Sequence, residues 1–181
     1  MPKREEEKLV AQYLKGDEKA LEILIKQYLK PIYSFVYSYV GNASDTEDIT
    51  QEVFVKMWRN IKKFDQQKSF KTWFFTIAKN ASIDFLKKKK PIPFSKFENE
   101  KGQNVFLDNL AAPILLPSEI FNRADIDSAL KKLSPKYRLV LSLYYDAQLN
   151  FREIADSLDE PLNTIKSRYR RALILLKKFL V

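Results

Sequence analysis

The residues with the clearest chemical potential are six lysines and arginines in the segment NTIKSRYRRALILLKK, residues 163–178. No aspartate or glutamate occurs from Pro161 to Val181, so nothing in this segment neutralises them. Apolar residues recur in the same segment at the three- and four-residue spacing of an amphipathic helix. One face of the predicted helix is therefore apolar and the other cationic, which suits a polyanionic partner.

Catalytic and metal chemistry have few candidate residues. The 181 residues include no histidine, no cysteine and 3 glycines. Histidine is the commonest general base and metal ligand, and a glycine-rich loop is the usual phosphate cradle. We therefore predict no catalytic residue, no metal site, no cofactor and no enzymatic activity. The net charge of +9 favours nucleic acid, an acidic protein or a membrane surface as partner.

No apolar run is long enough to cross a membrane, and the N-terminal residues have no apolar signal-peptide core. The sequence therefore predicts a cytoplasmic protein without membrane insertion.

The elements before the basic segment predict a helix-turn-helix. Phe151, Ile154 and Leu158 mark a short helix that Asn150 can cap, and a turn at residues 159–161 leads into the basic helix. In this motif the start of the second helix enters the major groove, where lysine and arginine donate to guanine. The alternative is a solvated basic face on a terminal helix. The candidate DNA-contacting residues are Asn163, Thr164, Lys166, Ser167, Arg170 and Arg171.

The rest of the chain is also helical in pattern, so the predicted fold is all-α. We predict two small helical domains, at residues 1–90 and 123–181. Four of the eight prolines lie in a linker at 91–122 that has no apolar period. In the first domain we expect a helix bent or broken at Pro31, and then a helix that starts at a capping box of Ser44 and Glu47.

An acidic cluster near the start of that second helix is the first candidate protein-binding surface. Acids favour a helix N-terminus, which accounts for Asp45, Glu47 and Asp48 but poorly for Glu52. In a basic chain, an acidic patch is better matched to a basic protein than to DNA.

The segment DTEDITQEVFVKMWRNIKKFDQQKSFKTWFFTIAKNASIDFLKKKK resembles region 2 of bacterial sigma factors of the extracytoplasmic-function group, and LSPKYRLVLSLYYDAQLNFREIADSLDEPLNTIKSRYRRA resembles their region 4. The resemblance implies a promoter-specificity subunit that binds core RNA polymerase, recognises the −35 and −10 promoter elements and promotes strand opening. Implied partners are the β′ clamp helices and β flap of the polymerase, promoter DNA, and commonly an anti-sigma factor. The implied polymerase-binding residues are Asp45, Asp48, Gln51, Glu52 and Lys56.

The resemblance also implies that a loop at residues 65–69 captures a flipped base of the −10 element, beside a cationic and amide surface. Trp73 and Phe74 fit the apolar stripe of the following helix, whereas Phe75 falls off that stripe. The family usually has glycine where this chain has Asp159 and Asn163, two residue types that tolerate left-handed or capping conformations. The candidate −10 residues are Lys63, Asp65, Lys68, Lys71, Lys79 and Asn80.

Two other functions compete with this interpretation. A helix-turn-helix regulator that acts outside the polymerase would not need the acidic face at residues 48–52. A nucleic-acid-modifying enzyme would need an acid, base or metal cluster. The arrangement of the domains also has two alternatives. The linker predicts that the halves fold independently, but if they pack together in the free protein the linker would act as a clamp.

Overall fold

The structure is a computed structural model that describes residues 5–89 and 123–180. Within these ranges every regular element is helical, which confirms the predicted all-α class. We number the described helices along the chain, with a 3₁₀ turn at Ile61–Lys63 after α3. They are α1 Glu5–Leu14, α2 Glu18–Val40, α3 Ala43–Asn60, α4 Phe70–Lys89, α5 Arg123–Lys132, α6 Pro135–Tyr145, α7 Phe151–Leu158 and α8 Leu162–Leu180.

Helix α2 runs without a break through Pro31, so of the two alternatives, bent or broken, the break is wrong. Proline removes one helical hydrogen bond, at a cost of about 3 kcal/mol in a helix interior. The buried side chains of Leu24 and Tyr28 before it, and of Ile32 and Phe35 after it, anchor both halves of the helix in one core. Burying four such side chains stabilises by more than the proline costs, because each contributes about 1.5–3 kcal/mol.

Helix α3 starts two residues earlier than the capping pattern predicts. It begins at Ala43, and the side chain of Asn42 accepts a hydrogen bond from the Asp45 amide at 3.0 Å. Ser44 lies inside the first turn, so the capping box of Ser44 and Glu47 does not form. Asn42 follows Gly41, which ends α2 with a φ of 71°, and the two helices are therefore joined by a very short turn.

The core of the first half is aromatic. The ring of Tyr28 makes edge contacts with Phe70, Phe74 and Phe75 of α4 at centroid distances of 5.6–6.4 Å. Phe75 is fully buried, so the expectation that it lies off the core face is wrong. A single apolar stripe underestimates the buried surface of α4, because this helix packs against α1, α2, α3 and α7.

The predicted helix-turn-helix is confirmed as α7, a turn and α8. Asn150 caps α7 with a capping box, in which its side chain accepts from the Glu153 amide and the Glu153 side chain accepts from the Asn150 amide. Asp159 adopts the left-handed conformation with a φ of 54°. The family's usual glycine is thus replaced here by a residue that reaches the same conformation, whereas Asn163 lies inside the first turn of α8.

The two halves of the chain pack together. Helix α2 contacts α6, and α4 contacts α7. Helix α6 has two buried faces: Leu139, Val140 and Leu143 belong to one hydrophobic core shared with the first half, while Tyr137 and Leu141 face a smaller core with α5 and α8. The predicted linker at 91–122 lies outside the described residues. The independent folding of the halves stays a prediction, and the packing favours the clamp alternative.

Candidate polymerase and nucleic-acid interface

An exposed face of α3 contains three of the predicted polymerase-binding residues. Asp48, Gln51 and Glu52 are spaced at i, i+3 and i+4, and all three are exposed. Lys56, one turn further, forms an ion pair with Glu52 at 2.7 Å. This arrangement leaves a largely acidic and amide surface on a helix whose opposite side is anchored by Ile49, Val53 and Met57.

Asp45 differs from the other predicted polymerase-binding residues. Its carboxylate is half-buried and forms an ion pair with Lys89 in the last turn of α4. Through this ion pair, Asp45 holds the end of α4 against the start of α3. Its side chain is therefore less available to a partner than those of Asp48 and Gln51.

Two apolar side chains extend the exposed face of α3 beyond the predicted residues. Val55 and Trp58 are 44% and 55% exposed, at the helical positions that follow Gln51. The indole Nε1 of Trp58 donates a hydrogen bond to the Tyr13 hydroxyl of α1 at 3.0 Å. The neighbouring side chain of Met57 is buried in the core instead. The resulting surface combines acids, an amide and a large exposed ring.

The loop between the 3₁₀ turn and α4 is short and internally bonded. The Asp65 carboxylate accepts the Gln67 amide at 3.0 Å, and the Asp65 carbonyl accepts the Lys68 amide at 2.9 Å. The ring of Phe64, just before the loop, packs against Trp73 and Phe70 at centroid distances of 5.0 and 5.7 Å. The side chain of Asp65 thus shapes the loop.

The predicted −10 residues divide into two groups. Lys63, Lys68 and Asn80 are exposed. Lys71 is ion-paired with Glu6 of α1 at 3.2 Å, and the Lys79 ammonium donates to the carbonyl of Leu158 in the second half at 2.6 Å. Sequence patterns put all five side chains on one cationic surface, whereas two of the lysines make internal contacts in this arrangement.

The outward face of α8 contains most of the predicted DNA-contacting residues, which the resemblance to region 4 assigns to the −35 element. Asn163, Lys166, Ser167 and Arg170 are exposed, while Thr164 and Arg171 are half-buried at its flanks. Ile165 and Ala172 are fully buried on the opposite side. This division between a basic exposed face and an apolar buried face is the one that the spacing predicts.

Arg168 stabilises the turn before α8. Its guanidinium forms an ion pair with Glu160 at 2.7 Å. The same two residues lie near Tyr39 of the first half, whose pKa is raised mainly by burial and further by Glu160. Arg168, one of the six basic residues of the segment 163–178, therefore has an internal partner. Composition alone could not reveal this ion pair.

A cavity of about 550 Å³ lies between the two halves. Ser69 and Thr72 line it from the first half, and Asn150, Arg152 and Lys166 from the second. The loop that we predict for the −10 element and the helix that we predict for the −35 element therefore border one cavity.

The described part of the chain contains neither a candidate metal site nor a candidate membrane span. Residues 5–89 and 123–180 contain no cluster of carboxylates suited to a metal ion. In the same ranges, no helix combines the length and apolar character needed to span a membrane.

Comparisons with known proteins agree with the geometry of both halves. Residues 24–92 match the family model of Sigma-70 region 2, and residues 129–178 match that of Sigma-70 region 4. The ECF RNA polymerase sigma factor SigW of Bacillus subtilis is 33% identical over 177 residues, 94% of each chain. The ECF RNA polymerase sigma-E factor of Escherichia coli K12 is 30% identical over 172 residues, covering 91% of this chain and 88% of that protein.

Solved structures share the fold over almost the whole chain. CnrH in complex with the cytosolic domain of CnrY superposes with a TM-score of 0.65 at 22% identity, covering 97% of this chain and 96% of CnrH. RpoE in complex with the anti-sigma factor NepR from Bartonella quintana gives 0.65 at 23% identity, covering 90% and 97%. The sequence matches in both halves, in the order found in these relatives, show that the chain belongs to the extracytoplasmic-function sigma factors, the promoter-recognising subunits of bacterial RNA polymerase.

Proposed function

We propose that the two domains divide the work of promoter recognition. Residues 1–90 bind core polymerase through the exposed face of α3 and hold the melted −10 element with residues 63–80. Residues 123–181 read the −35 element with the outward face of α8. The observation that carries the polymerase-binding role is the acidic face at Asp48, Gln51 and Glu52 in a chain of net charge +9, because a DNA-binding regulator has no use for it.

The −10 role is supported by the charge and exposure of the loop region. Lys63 and Lys68 flank a tight turn and are exposed to phosphates, and Asn80 presents an amide that can donate and accept. Binding the melted strands more tightly than the duplex shifts the equilibrium towards the open form. The protein thus promotes strand opening without a catalytic group, and the polymerase performs the chemistry.

The proposed roles also imply a cellular location and a regulator. The protein acts in the cytoplasm, where RNA polymerase is. We also propose an anti-sigma factor as its regulator, because the structural neighbour RpoE was solved with the anti-sigma factor NepR, and CnrH with the cytosolic domain of CnrY. Run-off transcription with core polymerase on genomic fragments tests the proposal and yields a promoter. If no transcript depends on core polymerase, the result would favour the alternative function, a helix-turn-helix regulator that acts outside the polymerase.

Replacing both Asp48 and Gln51 with alanine is expected to weaken the affinity for core polymerase by roughly tenfold or more, because both side chains point outward at the proposed contact. Helical content is expected to stay unchanged, since neither side chain is buried. Titration against core polymerase and circular dichroism measure the two quantities. Glu18→Ala, an exposed acid of α2, is the matched control and should bind normally. A parallel loss of helicity and affinity would make the residues structural.

A further inference from the structure

We propose that Glu7 of α1 is a positioning residue for the −10 loop, defined here as residues 65–69. Its carboxylate fixes the point at which the loop enters α4. This inference rests on the proposed −10 role of the loop. It assigns a function to α1, which precedes the part of the chain that matches Sigma-70 region 2, residues 24–92.

The contact that carries the proposal joins residues far apart in sequence. The amide of Phe70, the first residue of α4, donates to Oε1 of Glu7 at 3.0 Å. The first amides of a helix have no partner within the helix, and a carboxylate there also interacts favourably with the helix dipole. The hydroxyl of Ser69 accepts from the Thr72 amide at 3.4 Å. Glu7 and Ser69 together therefore cap α4, and only Glu7 does so from another helix.

The carboxylate of Glu7 is buried, and only one of its two oxygens has a described hydrogen-bond partner. Glu7 is 5% exposed, and its second oxygen, Oε2, is buried without a hydrogen-bond partner among the described residues. A buried carboxylate oxygen without a partner is costly. The contact of Glu7 with Phe70 therefore fixes the geometry of the loop at a cost to the stability of the fold.

The neighbouring acid strengthens the same attachment. Glu6 forms an ion pair with Lys71 at 3.2 Å and accepts a hydrogen bond from the Tyr28 hydroxyl at 3.1 Å. Burial disfavours ionisation of Glu6, but its own backbone amide, Lys71 and Tyr28 outweigh burial, so the pKa of Glu6 is lowered from its ordinary value. Two successive residues of α1 thus hold Phe70 and Lys71, the first two residues of α4.

Both ends of the −10 loop are consequently fixed. The Phe64 ring packs on Phe70 and Trp73 at the start, and Glu7 binds the Phe70 amide at the end. A loop that is already ordered binds its ligand more tightly, because less conformational entropy is lost on binding. Electrostatics alone predicts the opposite effect for Glu7, since removing an acid near a phosphate-binding surface should strengthen DNA binding. The direction of the change therefore separates the two explanations.

The test measures the affinity of the complete holoenzyme for single-stranded DNA carrying the −10 sequence of a promoter found by run-off transcription. Glu7→Ala is expected to weaken this affinity about tenfold, whereas Glu7→Gln, which keeps an acceptor oxygen for the Phe70 amide, should lose only about threefold. Hydrogen exchange of the Phe70 amide should accelerate in Glu7→Ala. Exchange in the interior of α4 and affinity for core polymerase should stay unchanged, a pattern that general destabilisation would not give.

Glu5→Gln is the matched control, because it removes the same charge from an exposed residue of the same helix. It should bind DNA as well as the wild type or slightly better. Equal binding by the wild type and both Glu7 variants would overturn the inference, as would tighter binding by the Glu7 variants. If Glu7→Ala does not fold, Glu7→Gln decides through the same two measurements. A wild-type holoenzyme that does not prefer the −10 strand would instead overturn the proposed function.

Discussion

Replacing Arg170 with alanine is expected to relax the specificity for one or two base pairs of the −35 element and to cost about 1–3 kcal/mol there, or about 5- to 150-fold in affinity. Arg170 is exposed on the outward face of α8, one turn after Lys166. The buried residues Ile165 and Ala172 hold this helix against the rest of the second half. Truncation of Arg170 therefore removes a donor from the groove without opening a cavity.

Lys178→Ala is the matched comparison, because Lys178 is also exposed but lies two turns further along α8. A phosphate contact at that position carries no sequence information. The substitution should weaken binding evenly across promoter variants and reduce the slope of log K against log salt by about one. Affinities for a set of single-base promoter variants at several salt concentrations distinguish the two roles. Uniform losses from both substitutions would mean that α8 is only a basic face.

Local features of the fold could be predicted because their causes lie within a few residues. The Asn150 cap, the left-handed Asp159 and the basic face of α8 depend on residue types and spacing inside one motif. The exposure of Asp48 and Gln51 follows in the same way from the buried stripe of α3. These are the features in which periodicity and capping patterns agree with the structure.

Features that depend on distant packing could not be predicted in this way. The burial of Phe75 requires helices on several sides of α4, and the Glu7 cap joins residues 63 positions apart. Lys71 and Lys79 belong to a basic pattern in the sequence, but their partners are Glu6 and the Leu158 carbonyl. Nothing near these lysines in sequence identifies either partner. The acidic start of α1 likewise has nothing near it in sequence that identifies Phe70 and Lys71 as its partners.

The contact between the halves has a geometric consequence for promoter binding. The names of the two promoter elements place them about 25 base pairs apart, or about 85 Å along B-form DNA. In the structure, Ser69 of the −10 loop and Lys166 of α8 line one cavity, and Lys79 donates a hydrogen bond to the Leu158 carbonyl at the end of α7. Each half alone has an expected radius of gyration of only about 10–12 Å. The packed arrangement therefore cannot reach both elements at once.

On the proposed division of roles, binding to polymerase and promoter must consequently separate the halves. The linker at 91–122 is long enough, because a chain of that length can extend to about 110 Å. Separation breaks the contacts of α2 with α6 and of α4 with α7, so we expect the open form to be the less populated one in the free protein. The apparent affinity for a promoter is then reduced by the open fraction, and core polymerase raises it by stabilising the open form. Free protein should thus bind promoter DNA poorly.

We expect the distance between dyes on the two halves to increase by about 40 Å or more when the protein binds core polymerase and a promoter fragment. The absence of native cysteine allows labelling of Gln27→Cys and Lys131→Cys, both exposed and one in each half. Energy transfer between the dyes should be high in the free chain and low in the promoter complex. A second pair at Gln27 and Arg59, both in the first half, should not change. Equal transfer in the free and bound states of the first pair would show that the halves stay packed on the promoter, and low transfer in the free chain would show that they are already apart.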